Sequence, residues 1–167
     1  GDIYRTDTQY VRCVRGGPLA WGGYVDNGNG TVTDTSTGLI WQQADDGGTK
    51  TWQEALSYCE DLSLAGQTDW RLPNIRELQS IVDDTRYSPA TDLIFVTRDS
   101  EYWTSSTSVV TQNAAWYVRG IYGAAFWHPK SAAIYTRCVR GGSVKIVPED
   151  LQGPSLTITS HSHNQQV

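Results

Sequence analysis

Apolar positions along this chain follow strand-like alternation first, helical spacing in the middle, and strand-like alternation again from about residue 100. Residues 24–34 contain Asn27-Gly28 and Asn29-Gly30. Asn and Gly tolerate positive φ, so these pairs predict a hairpin turn, with a strand over 31–34. Thr37-Gly38 marks a second turn, and Leu39, Ile40 and Trp41 form an apolar strand that continues a meander. Over 51–63, Trp52, Ala55, Leu56, Cys59 and Leu62 fall on one helical face, and Thr51 with Glu54 forms a capping box. A second helix is predicted over 74–82. Asn74 and Glu77 pair at its start, Pro73 precedes it, and Leu78, Ile81 and Val82 supply the apolar face. Further strands are expected at 101–106, 115–118, 124–128 and 134–140, with a turn at Gly120–Gly123. Strands, two helices and a strand-rich second half predict an α+β domain, two helices packed on antiparallel sheets.

The 167 residues fit one domain with tails. Residues 18–23 read as a linker, and 143–167, with Pro148 and Pro154, as a polar tail or linker. Thirteen Lys and Arg against 18 Asp and Glu leave a formal charge of -5. With no basic run, nucleic acid is not an expected partner. Seven Trp and nine Tyr at only 19% charged residues argue against both a coiled coil and a disordered chain. No apolar run reaches bilayer length, so membrane insertion is not expected.

Residues 10–17 read Tyr-Val-Arg-Cys-Val-Arg-Gly-Gly and residues 135–142 read Tyr-Thr-Arg-Cys-Val-Arg-Gly-Gly, identical at seven of eight positions. The repeated cysteines, Cys13 and Cys138, stand 125 positions apart, about one domain length. Residues 1–17 therefore read as the closing strand of an upstream copy, or as a terminal strand reused within one copy. Cys59 and Cys138 both belong to the complete copy at 18–142 and are expected to pair, leaving Cys13 for a partner elsewhere. Three buried thiols are the alternative.

Asp-Asn-Gly-Asn-Gly-Thr-Val-Thr-Asp-Thr-Ser-Thr-Gly-Leu-Ile-Trp (26–41), Asp-Trp-Arg-Leu-Pro-Asn-Ile-Arg-Glu-Leu (69–78), Tyr-Trp-Thr-Ser-Ser (102–106) and Arg-Cys-Val-Arg (137–140) occur in order. Together they resemble the DUF1566 family, which includes the C-terminal domain of a collagen-like bacterial adhesin. The resemblance covers roughly residues 24–142. It implies a C-type-lectin-like fold, related to that of formylglycine-generating enzymes. It implies placement in secreted or surface proteins, often in tandem, and it supports the Cys59–Cys138 disulfide. The adhesin's domain binds sulfated glycosaminoglycans, and some relatives vary their last strands and loops to make new binding surfaces. The oxidase chemistry of the related enzymes needs a cysteine pair late in the fold. This chain has only Cys138 there, so that activity is expected to be absent. A sulfated ligand would need basic residues clustered locally on this acidic chain.

Three groups of residues are candidates for chemistry. Arg119, Tyr122, Phe126, Trp127, His128 and Lys130 bring aromatics and cations together in turn-rich sequence, suited to a glycan or a surface-protein ligand. At least one of Phe126 and Trp127 is expected in the core. Asp26, Asn27, Asn29 and Asp34, with Thr31, space oxygen groups like a calcium loop, but without the closing bidentate Glu. A Gly-Asn hairpin with Asp side chains on local amides explains the same residues. Arg71 is expected to pair with Glu77 or Asp69, and Arg140, if Cys138 faces the core, to need a carboxylate. Catalysis finds no support. There is no Gly-x-Ser-x-Gly elbow, and the one His in the domain body is His128. The expected function is an extracellular, non-enzymatic binding module. A repeat that self-assembles through 1–17 and 143–167 is the alternative.

Overall fold

The computed structural model describes residues 23–141. The first closing-strand copy, Cys13, most of the 18–23 linker and the 143–167 tail lie outside them. The described chain opens with a meander, β1 (Tyr24–Asp26), β2 (Thr31–Asp34) and β3 (Leu39–Gln42). Two helices follow, α1 (Trp52–Glu60) and α2 (Ile75–Ser80). Then come β4 (Glu101–Thr107), β5 (Ala114–Arg119), β6 (Ala125–Pro129) and the closing β7 (Val139–Gly141). One antiparallel sheet has the order β1-β2-β3-β7 and the other β4-β5-β6.

Both helices start where the capping residues place them. The Thr51 side chain accepts from Glu54 N, and Glu54 Oε2 accepts from Thr51 N at 2.8 Å. Asn74 and Glu77 make the same reciprocal pair. Four otherwise orphaned donors are thus satisfied by side chains that the sequence supplies in place. α2 is shorter than the periodicity predicts. Ile81 caps it, and Ile81 and Val82 pack into the core from beyond the last turn.

The β4-β5-β6 sheet is buried on both sides of its middle. Successive strand residues point to opposite faces, so Tyr102 and Trp103 enter different clusters. Tyr102 and Val118 join Val32, Trp41, Leu78, Phe95 and Val139. Trp103 and Tyr117 join Ala55, Cys59, Trp70, Leu72 and Cys138. α2 packs on β4 and β5, and α1 packs on β4.

The closing segment is not one strand over 134–140. Ile134 bridges Lys50, Tyr135 bridges Tyr102 in parallel, and regular pairing begins only at Val139, opposite Trp41. The segment crosses from the second sheet to the first, so no single ladder can hold it. Its burial departs from simple alternation for the same reason: Arg137, Cys138 and Val139 are all buried. Cys138 is bonded to Cys59 of α1, with Cα atoms 5.5 Å apart, which settles the cysteine pairing against free thiols.

Arg137 is held without a carboxylate contact. Its Nη1 donates to the carbonyls of Gln42 (2.8 Å) and Gln43 (2.5 Å), and its Nη2 to Val96 O (2.8 Å). The guanidinium carbon lies 5.3 Å from the Phe95 ring centroid and 5.6 Å from that of Tyr102. Burial holds its pKa below the ordinary arginine value. Arg140 meets the carboxylate it is expected to need, and that carboxylate is Asp69, at 2.6 Å. Arg71 takes Glu77, so the two candidate carboxylates are divided between two arginines.

Candidate functional site

The turn between β5 and β6 and the open edge of β6 carry the residues of the first candidate group. Tyr117 stands opposite Phe126, and Ala115 opposite His128. That register sets Phe126 and His128 on the same face as Tyr117, and the contacts agree. The Tyr117 ring stacks on His128 at 5.0 Å and tilts against Phe126 at 6.1 Å. Arg119 is two residues along on the same face, opposite Glu101 of β4. Its Nη1 donates to the Tyr122 hydroxyl at 2.7 Å, and its Nε lies 3.4 Å from the Glu101 carboxylate. His128 Nε2 lies 3.6 Å from the same carboxylate.

Arg119, Tyr122, Phe126 and His128 therefore come together around Tyr117 and Glu101. The Tyr117 phenol is pushed up by burial, with the Glu101 charge adding to it. Asp99, Ser100, Glu101, Arg119, Ile121 and Tyr122 line a cleft beside this face. Trp127 is not part of the cluster. It stands opposite Trp116, and alternation turns it to the other side of the sheet. Lys130 lies just past the strand, with Nζ 4.2 Å from the Trp52 ring centroid, and its carbonyl accepts from Trp52 N at 3.0 Å. It ties the end of β6 to the start of α1.

Neither Phe126 nor Trp127 is a core residue. Phe126 is 46% exposed and Trp127 50%, while Tyr122 is 40% exposed. The expectation that at least one of the pair would be buried fails because β6 is the outer strand of its sheet, with no described strand on its far side. Glu101 and Tyr117 were not singled out by sequence. Their signal is cross-strand register, which a linear pattern does not contain.

The cation-loop residues do not converge. Tyr24 pairs with Asp34 and Asp26 with Val32, so Asp26 and Asp34 sit at opposite ends of the β1–β2 hairpin. Asp26 Oδ1 accepts from Gly28 N at 2.8 Å, a bond that holds its carboxyl below the ordinary value. Asn27 Nδ2 donates to Thr31 and Thr33, and Asn29 Oδ1 accepts from Thr31. Asp34 accepts from Ser36 and Thr37 in the next turn. Burial raises its pKa, but these bonds outweigh that and leave it lowered. These bonds are those of the Gly-Asn hairpin and the turn after β2, with Asp26 Oδ2 also accepting from Gln43 Nε2. Among the described residues, no group of three or more His, Cys, Asp and Glu is placed to hold a metal ion.

A second concavity lies on the exposed face of the first sheet, where Asn27, Thr31, Thr33, Ile40, Trp70 and Arg140 meet. Arg140 is engaged there by Asp69 and by Gln67 Oε1 at 2.9 Å.

Two antiparallel sheets, two helices and a helix-to-strand disulfide define a disulfide-bonded α+β domain with aromatics on an open edge. The chain is a member of the Lcl C-terminal domain family, formerly DUF1566, whose model matches residues 30–140. That domain is found in collagen-like adhesin proteins and is not a known enzyme family. No curated protein matches the chain.

Proposed function

We propose that this domain is an extracellular, non-enzymatic binding and adhesion module, and that its ligand surface is the β5–β6 turn with the open edge of β6. The observation that carries this reading is the exposure of Tyr122 and Phe126, each 40% or more, beside Arg119 and His128 on one face of the β5–β6 turn and edge strand. Exposed aromatics grouped in this way stack on sugar rings or anchor a protein partner. Arg119 supplies directional donors beside them, and His128 and Glu101 add polar contacts. The ligand is a glycan or a surface protein. The net charge of -5 favours neutral sugars over a densely sulfated chain.

A C-type-lectin-like assignment rests on the two helices packed on the second sheet, the two antiparallel sheets and the Cys59–Cys138 closure. A variable-type surface fits the same geometry. Tyr122 and Trp127 belong to neither core cluster, and Phe126 meets the core at the Tyr117 ring. The disulfide suits an oxidising, extracellular setting, and no described helix is long and apolar enough to cross a membrane.

The test is a glycan array and a surface-protein panel probed with the wild type, R119A, F126A, W127A and R119A/W127A. A ligand of this surface should lose roughly tenfold or more in affinity in R119A and in F126A, while W127A, on the opposite face, should bind nearly as the wild type does. A ligand bound equally by all five proteins would place the site elsewhere.

A further inference from the structure

The slot that receives the closing segment uses nearly every residue of it. Tyr135 N donates to Glu101 O, and its carbonyl accepts from Trp103 N, both at 3.0 Å. Arg137 takes the three carbonyls described above, and Cys138 bonds to Cys59. Val139 is fully buried and exchanges backbone bonds with Arg71 at 2.8 and 2.9 Å. Arg140 binds Asp69, and Gly141 holds φ +78° while its carbonyl accepts from Arg71 Nη2. The same six side-chain identities recur in order at Tyr10, Arg12, Cys13, Val14, Arg15 and Gly16.

The one difference within the repeat is informative. Thr136 is fully buried, and its Oγ1 has no hydrogen-bond partner among the described residues. The matching residue is Val11, which has the same shape without the hydroxyl. A buried hydroxyl left unpaired costs stability, so this position suits valine at least as well as threonine.

We propose that the slot closed by residues 135–141 also accepts residues 10–17 of the same chain, with Cys13 replacing Cys138 on Cys59. The described domain would then have two interchangeable closing segments, one before it and one at its end in sequence. Sheet order permits this. β1 and β7 are the two edges of one four-stranded sheet, and Tyr24 and Gly141 lie at the same end of it, beside the β2–β3 turn. Three strand spacings separate those edges, about 14 Å. Eight residue steps from Gly16 to Tyr24 reach up to about 26 Å. The repeat stops at residue 10, where Gln9 would meet the place of Ile134, so exchange begins at Tyr135 and leaves Ile134 on Lys50.

The covalent step needs no outside oxidant. The Cys13 thiolate attacks Cys59 Sγ, the Cys59–Cys138 bond breaks, and Cys138 leaves as the thiolate.

The experiment uses the full chain carrying C138S, refolded with oxidised glutathione as the electron acceptor. Peptide mapping without reductant should find Cys13 bonded to Cys59 within monomers. Maleimide labelling of Cys59 should be lost relative to C13S/C138S. A C138S chain with residues 10–12 and 14–17 scrambled should not form that bond. A free Cys59 in C138S, equal bonding in the scrambled chain, or a Cys13–Cys59 bond found only between chains would each overturn the proposal. T136V in the otherwise native chain reads the slot without removing its disulfide. It should raise the melting temperature by about 2–4 °C, and a fall would show that the slot does not favour the residue found at position 11.

Discussion

Arg71 and Glu77 are joined by two parallel hydrogen bonds, Nη1 to Oε2 at 2.8 Å and Nη2 to Oε1 at 2.7 Å. The same Glu77 carboxylate accepts from Asn74 N and so caps α2, while Arg71 Nη2 also donates to Gly141 O at 3.2 Å. One ion pair therefore links a helix start to the closing strand.

E77A should remove the cap and leave Arg71 without its carboxylate, at a cost of about 1–3 kcal/mol measured by chemical denaturation. Burial raises the Glu77 pKa, but Arg71 and the Asn74 amide outweigh it and hold it below the ordinary value. Its contribution is complete above the unfolded pKa of about 4 and is lost as pH falls through the lower folded value. E77Q should therefore flatten the acid limb of a stability-versus-pH curve, and an unchanged limb would count against the pair.

Arg137 is a core residue with a charge. R137M should leave the carbonyls of Gln42 and Val96 without the Arg137 donor, and Gln43 O with the Val96 amide alone, and cost about 3–5 kcal/mol by thermal or urea unfolding. R137K should recover only part of this, because an ammonium lacks the fork that reaches several carbonyls at once. A mild effect from R137M would mean that the cluster repacks.

Burial pushes the Tyr102 phenol up to about 12, against the pull of Arg137. Unfolding exposes a phenol with a pKa of about 10. Between those values the folded chain keeps a proton that the unfolded chain releases, so stability falls as pH rises from about 10 to 12. Tyr24 follows the same rule, raised to about 12 chiefly by burial. Ultraviolet titration of tyrosinate should show two late-titrating groups, and Y102F should remove one and soften the alkaline loss.

Gly123 sits in the β5–β6 turn at φ +71°, and a Cβ there would meet Val82 Cγ1 at 2.2 Å. G123A should therefore cost about 1–3 kcal/mol. Because this turn carries Tyr122, ligand binding should fall with it. Calorimetry of the variant, with and without the ligand identified on the array, measures both effects.

Much of the local architecture was legible before any coordinates. Thr51 with Glu54, Asn74 with Glu77 and the Asn-Gly pairs each act within a few residues, so their partners are written beside them. The octapeptide repeat singled out Cys138 and the closing segment, and Cys59 on the apolar face of a helix was placed to meet it.

Tertiary structure decided what depends on register and on position within a sheet. It made β6 an edge, which exposed both Phe126 and Trp127 on the opposite faces that strand alternation gives them. It gathered Glu101, Tyr117, Arg119 and His128 from three strands into one cluster, and it gave Asp69 to Arg140 and Glu77 to Arg71. It parted Asp26 from Asp34, although an oxygen-rich pattern joins them in sequence. Local hydrogen bonds and capping act over three or four residues, and the chain states them directly. Cross-strand neighbours are fixed only when whole sheets pair and pack, so the sequence determined the elements of this protein and the packing of two sheets determined its surface.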